Sequence, residues 1–166
     1  GSSKSSKSSK SLAARFGLRD KTCVVTGGTR GLGKAMCDAF GEMGAKHVIT
    51  CSRKGSPQKS DDDQKFGWTH ENTEFTHVER DVSKERDRDV FVDDIKRKCG
   101  RVDVFVSNVG YNIRKTTAAC TREDYKALMG TNLEASFDIV RVAYKKGVIG
   151  KGTSVIFNSS VAGLTS

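Results

Sequence analysis

The chain has 166 residues, 36% of them hydrophobic and 30% charged, with a formal net charge of +9. That length suffices for one domain with a real core. No apolar run approaches the roughly 20 residues that a membrane-spanning helix needs. The charge is uneven, because Lys4, Lys7, Lys10, Arg15 and Arg19 come before the first acid, Asp20. Residues 1–17, opening on a repeated Ser-Ser-Lys, read as a low-complexity basic tail that will not pack. Such a start resembles the end of an organelle transit peptide, and equally an appended tail. A basic arm can bind nucleic acid or anionic lipid. A solvated arm is the simpler expectation, and nucleic acid is not the expected partner.

The five cysteines, Cys23, Cys37, Cys51, Cys99 and Cys120, are odd in number and form no Cys-x-x-Cys pair. They read as small hydrophobes of a reducing compartment, with cytoplasm and organelle both left open. The three histidines, His47, His70 and His77, show no metal-ligand spacing, and no metal site is expected.

From Lys21 onward the pattern alternates. Thr22 to Thr26 is a short β-rich run. Gly31 to Met43 has helical period, with Leu32, Ala35, Met36, Ala39, Phe40 and Met43 on one side. His47 to Cys51 and Glu74 to Val78 are further strands. Ser83 is expected to cap a helix reaching Cys99, with Val90, Phe91 and Ile95 inward. Val102 to Val106 is a fourth strand. Thr121-x-x-Asp124 opens a long helix to about Tyr144, as a capping box with Asp in place of Glu. Ser154 to Phe157 is a fifth strand. Strands alternating with helices predict an α/β fold, a Rossmann-type doubly wound parallel sheet. Lys54 to Asn72 holds the single Pro, two Gly and the acids Asp61, Asp62 and Asp63. It is expected to be a loop-rich excursion where a crossover helix should sit.

Candidate chemistry concentrates in Thr26-Gly-Gly-Thr-Arg-Gly-Leu-Gly33, between the first strand and the first helix. Glycines at 27, 31 and 33 permit a sharp turn and close approach of the backbone to a pyrophosphate. The helix start then aims free N–H groups at that anion. Gly27, Thr29, Arg30, Gly31, Leu32 and Gly33 are the candidate phosphate-binding residues. An NAD site usually places an acid about 20 residues further on, for the ribose 2′-hydroxyl. Here that position, in Ser52-Arg53, is Arg53. A guanidinium there suits a 2′-phosphate, and Arg30 is placed to reach the same group. The expected cofactor is therefore NADP(H) rather than NAD(H).

Together these residues resemble the short-chain dehydrogenases/reductases, most closely their tropinone-reductase-like members, from Leu18 to the end of the sequence. Thr-Gly-x-x-x-Gly-x-Gly at 26–33 is similar to that family's signature. Asp81-Val82 resembles its adenine-holding pair, and Ser107-Asn108-Val109-Gly110 its Asn-Asn-Ala-Gly. Asn132, in Met129-Gly-Thr-Asn132, resembles its helix asparagine. Ser160, in Ser159-Ser-Val-Ala-Gly163, falls at the place of its catalytic serine.

The resemblance implies cofactor contacts from Asp81, Val82, Asn108 and Gly110, and catalytic roles for Ser160 and Asn132. It implies an NADP(H)-dependent carbonyl/alcohol oxidoreductase acting on a small carbonyl substrate, with residues 18–166 as an NAD(P)-binding domain. The family's tyrosine and lysine would fall beyond Ser166. The sheet is thus expected to be truncated after the fifth strand, and these residues alone are expected to lack turnover. Tyr111-Asn-Ile-Arg-Lys115 has the literal Tyr-x-x-x-Lys spacing but follows the wrong strand, and reads as coincidence. Tyr125 and Tyr144 read as packing residues.

Two substitutions depart from the family pattern. Ser107 replaces the first Asn, and Val109 replaces Ala close to the cofactor's expected path. A fifth strand left at the edge, and a long helix bearing Leu128, Leu133, Phe137 and Val140, would need a protein partner or a missing C-terminal part to cover them. The alternative is a catalytically inactive structural subunit of a larger assembly.

Overall fold

The computed structural model describes residues 16–53, 70 and 72–161. The expected tail before Phe16 and nearly all of the Lys54 to Asn72 excursion lie outside the described residues.

Five strands form one sheet: β1 (Thr22–Thr26), β2 (His47–Ser52), β3 (Glu74–Glu79), β4 (Val104–Ser107) and β5 (Ser154–Phe157). Every pairing is parallel, and the order is β3-β2-β1-β4-β5. Between the strands run α1 (Gly31–Glu42), α2 (Glu85–Cys99), α3 (Arg122–Met129) and α4 (Ala135–Lys145). The alternation of side chains along a strand explains why the sheet is covered twice. Val24, Ile49, Cys51 and Phe105 face α2 and α4, whereas Cys23, Val25, Val48 and Val106 face α1. Phe91, Ile95, Phe105 and Ile139 are fully buried on the first face. Each such side chain contributes about 1.5–3 kcal/mol. An exposed ion pair such as Lys21–Asp103 contributes about 0–1 kcal/mol, so packing dominates stability.

Three sequence expectations need correction. The inward face of α1 is Gly33, Cys37 and Gly41, flanked by half-buried Met36 and Phe40. Leu32 and Met43 are exposed, as are Ala35 and Ala39. Small residues win that face because the helix lies close against the sheet. Ser83 does not cap α2: the cap is Lys84, without a side-chain bond, while the Ser83 hydroxyl donates to Asp81 Oδ1 at 2.7 Å. The long helix is interrupted, because Gly130–Glu134 form a π-helical turn joining α3 to α4. The capping box at its start is present, with Thr121 Oγ1 accepting from Asp124 N–H and Asp124 accepting from Thr121 N–H.

Outer surfaces remain bare. Tyr125 and Tyr144 are exposed rather than packed, alongside Leu133 in the π-helical turn and Phe137 on α4. Ile156 and Phe157 are exposed on the edge strand β5. Among the described residues no helix is long and apolar enough to cross a membrane.

Candidate active site

The chain leaves β1 toward β2 and β3, then returns across the sheet to β4. Adjacent strands β1 and β4 therefore send their connections in opposite directions, and a crevice opens at their carboxyl ends. Side chains cross-tie its floor. Thr26 Oγ1 accepts the N–H groups of Asn108 at 2.9 Å and Val109 at 3.2 Å. Asn108 Nδ2 donates to the Thr26 carbonyl at 3.0 Å, and Asn158 Nδ2 donates to Asn108 Oδ1 at 2.9 Å. The ends of β1, β4 and β5 are thereby held in one frame, which fixes the walls above them.

The cavity over this floor has a volume of about 830 Å³. One wall is the glycine-rich turn. Gly31 has φ +56°, in the left-handed region that favours glycine. Gly33 is required for a different reason. A Cβ there would collide with the Gly27 carbonyl oxygen and lie 2.6 Å from Asn108 Nδ2. The turn thus delivers the start of α1 onto the floor with no side chain between them. No side chain caps α1, so its first N–H groups point outward without an intrahelical partner. An anion is the natural occupant of that position.

The charges agree. Arg30, Arg53, Arg80 and Lys126 line the cavity, against the single carboxylate of Asp81. Arg30 stands at the N-terminus of α1, where the helix dipole disfavours a cation unless an anion is also present. Arg30 and Arg53 are exposed and make no ion pair among the described residues. Arg80 is tied back, its guanidinium 2.8 Å from Asp94, which also pairs with Arg97.

All twelve sequence-derived binding candidates line this cavity: Gly27 and the run Thr29 to Gly33 on one wall, Ser52, Arg53, Asp81 and Val82 at one end, Asn108 and Gly110 on the floor. Asn132 and Ser160 do not line it. Asn132 sits in the π-helical turn. Its Nδ2 donates to the Tyr111 carbonyl at 2.8 Å and its Oδ1 accepts the Tyr111 N–H at 3.0 Å. It thereby fastens the segment after β4 to the long helix. Ser160 is exposed just past β5. The Tyr111–Lys115 spacing has no helical context, and Lys115 Nζ pairs with Asp124 at 2.6 Å.

Several lining residues escaped the sequence reading, notably Arg80, Lys126, Thr131 and Asn158. A signal existed for Asn158, which follows β5 as Asn108 follows β4. Arg80 immediately precedes Asp81, and Lys126 shares a helix face with Gly130 four residues on. The two family departures are accommodated. Val109 Cγ2 lies 2.9 Å from where a Gly27 Cβ would stand, filling the space that glycine leaves. Ser107 is buried, with its hydroxyl 2.9 Å from that of Ser136.

The sheet order, the switch-point crevice and the glycine turn define a dinucleotide-fold α/β protein. Residues 21–166 match the family model of the short chain dehydrogenases, and the chain belongs to that family. It is 34% identical over 151 residues to a tropinone reductase homolog of Datura stramonium, covering 90% of this chain and 55% of that protein. A tropinone reductase homolog of Arabidopsis thaliana is likewise 34% identical, with 90% and 56% covered. The chain thus spans about half the length of the relatives it matches. Among solved structures, the 3-oxoacyl (acyl-carrier-protein) reductase of Agrobacterium tumefaciens with NADP bound has a TM-score of 0.78 at 26% identity, covering 94% of this chain and 58% of that one. The Pseudomonas aeruginosa RhlG/NADP complex shares the fold, with a TM-score of 0.77 at 21% identity over 91% of this chain and 59% of that one.

Proposed function

We propose that these residues are the cofactor-binding part of an NADP(H)-dependent carbonyl/alcohol oxidoreductase. The observation that carries the reading is the pair of arginines, Arg30 and Arg53, without an ion pair among the described residues, beside a helix start that has no side-chain cap at the switch-point crevice. The residues fit the group. Gly33 lets a pyrophosphate approach the floor, the N–H groups of α1 hold it, and Arg30 and Arg53 take the 2′-phosphate where an NAD site would carry an acid. Asp81 and Val82 take the adenine end. Bound there, the nicotinamide supplies the hydride.

The chain's own side chains shape and hold the site. Asn108 and Asn158 keep the floor rigid, and Asn132 holds the Tyr111 segment that closes it. Ser160 is assigned to orient the substrate oxygen. A small carbonyl compound is the expected substrate class, and a reducing compartment the expected setting.

The test is a cofactor-preference swap. Arg53→Asp should weaken NADPH binding by about tenfold or more, the worth of a charge-assisted hydrogen bond, and raise the relative affinity for NADH. An unchanged ratio would remove Arg53 from the 2′-phosphate site. The bare surface of Tyr125, Leu133, Phe137, Tyr144 and the β5 edge favours a second reading, a structural subunit without catalysis. That reading expects a partner chain covering those surfaces, with or without bound cofactor, and a monomeric, well-folded chain would contradict it.

A further inference from the structure

The turn Asp81–Ser83 forms one end of the cavity, and its shape is set by side chains from outside it. Asp87 accepts the Asp81 N–H at 2.8 Å. Asp81 Oδ1 accepts from the Ser83 N–H at 3.1 Å and hydroxyl at 2.7 Å, which closes the turn on itself. The carbonyls of Val82 and Ser83 are held from behind. Both accept from Arg88 Nη1, at 3.0 and 3.3 Å. Arg88 lies on α2 but is buried, and its Nε donates to Asp138 on α4 at 2.9 Å. Asp138 in turn accepts from Arg141 Nε at 2.9 Å.

A buried guanidinium is costly unless it is paired and hydrogen-bonded. Here Nε faces a carboxylate and Nη1 faces two backbone carbonyls of the cavity wall. A lysine in its place would supply the charge at one point only, and would serve the carboxylate or the carbonyls but not both. We propose that Arg88 is a positioning residue of the nucleotide site: anchored to Asp138 on α4, it holds the Asp81–Ser83 turn in the shape that receives the adenine end. This rests on the nucleotide reading above.

The experiment uses the full chain with Arg88→Met and, as the milder change, Asp138→Asn. In Arg88→Met the Asp138 carboxylate keeps Arg141, so no buried charge is orphaned. Two readouts are taken. Amide hydrogen exchange without ligand should rise about tenfold at Ser83 and Lys84 in Arg88→Met, and less in Asp138→Asn, while β1 and β4 keep their protection. Affinity for adenosine 2′,5′-bisphosphate should fall about tenfold, while affinity for nicotinamide mononucleotide holds.

Unchanged exchange at Ser83 and Lys84 would overturn the proposal. So would a uniform rise across the sheet, or an equal loss for both ligands, which are the marks of a purely structural residue. If the unaltered chain binds neither ligand, the nucleotide reading fails instead, and the exchange data still decide whether Arg88 holds the turn.

Discussion

Single residues decide what the cavity can admit. Gly33 is the clearest case, because the obstruction to a side chain is backbone and a floor asparagine rather than a mobile neighbour. Gly33→Ala should cost about 1–3 kcal/mol of stability and lower NADPH affinity by at least tenfold, as read by thermal unfolding and titration. Normal affinity in a folded Gly33→Ala variant would mean that no ligand approaches that wall. The glycines, Arg30 and Arg53 were legible in the sequence because their meaning is local: a strand, a turn and a helix start in succession. Arg80 and Asn158 were not, since each reaches the cavity only through the sheet order. Cys23, Cys37 and Cys51 were legible as buried hydrophobes, whereas Cys99 is only half-buried and Cys120 is exposed. Burial pushes the thiols of Cys23, Cys37 and Cys51 up to about 12, which suits packing and not reactivity.

At the scale of elements, strand positions followed the sequence closely because β-rich runs between turn residues leave few alternatives. Helix detail did not. Hydrophobic period put Leu32 and Met43 inward on α1, yet close packing on the sheet selects Gly33, Cys37 and Gly41. The π-helical turn at Gly130–Glu134 has no signature in composition; it exists where Asn132 captures the Tyr111 backbone. Across α2 and α4, burial would raise the Asp138 carboxyl, but Arg141 and Arg88 outweigh it and hold it below the ordinary carboxylate range.

The β2–β3 pair carries a pH dependence of its own. His47 is buried, with Nε2 2.8 Å from Thr76 Oγ1, and burial lowers its pKa below 6.5 despite the opposing pull of Glu74. As pH falls through 6.5 the unfolded chain takes a proton that the folded chain still refuses, so stability decreases below that point. Melting temperature should therefore drop between pH 7.5 and 5, and His47→Gln should flatten the drop. The same slope in both proteins would clear His47 of the effect.

At the scale of the described residues, parallel order and two covered faces place a crevice at the β1/β4 reversal that suits a large anionic ligand. The cations around that crevice are what the proposed preference for NADP(H) rests on. Large apolar side chains on the α3–α4 face and the β5 edge are exposed among the described residues. The most direct test is calorimetric titration of the unaltered chain with NADPH and with NADH under identical salt. The expected result is NADPH binding at least tenfold tighter, the difference residing in the 2′-phosphate. Equal affinities, or tighter NADH, would contradict the assignment of Arg30 and Arg53.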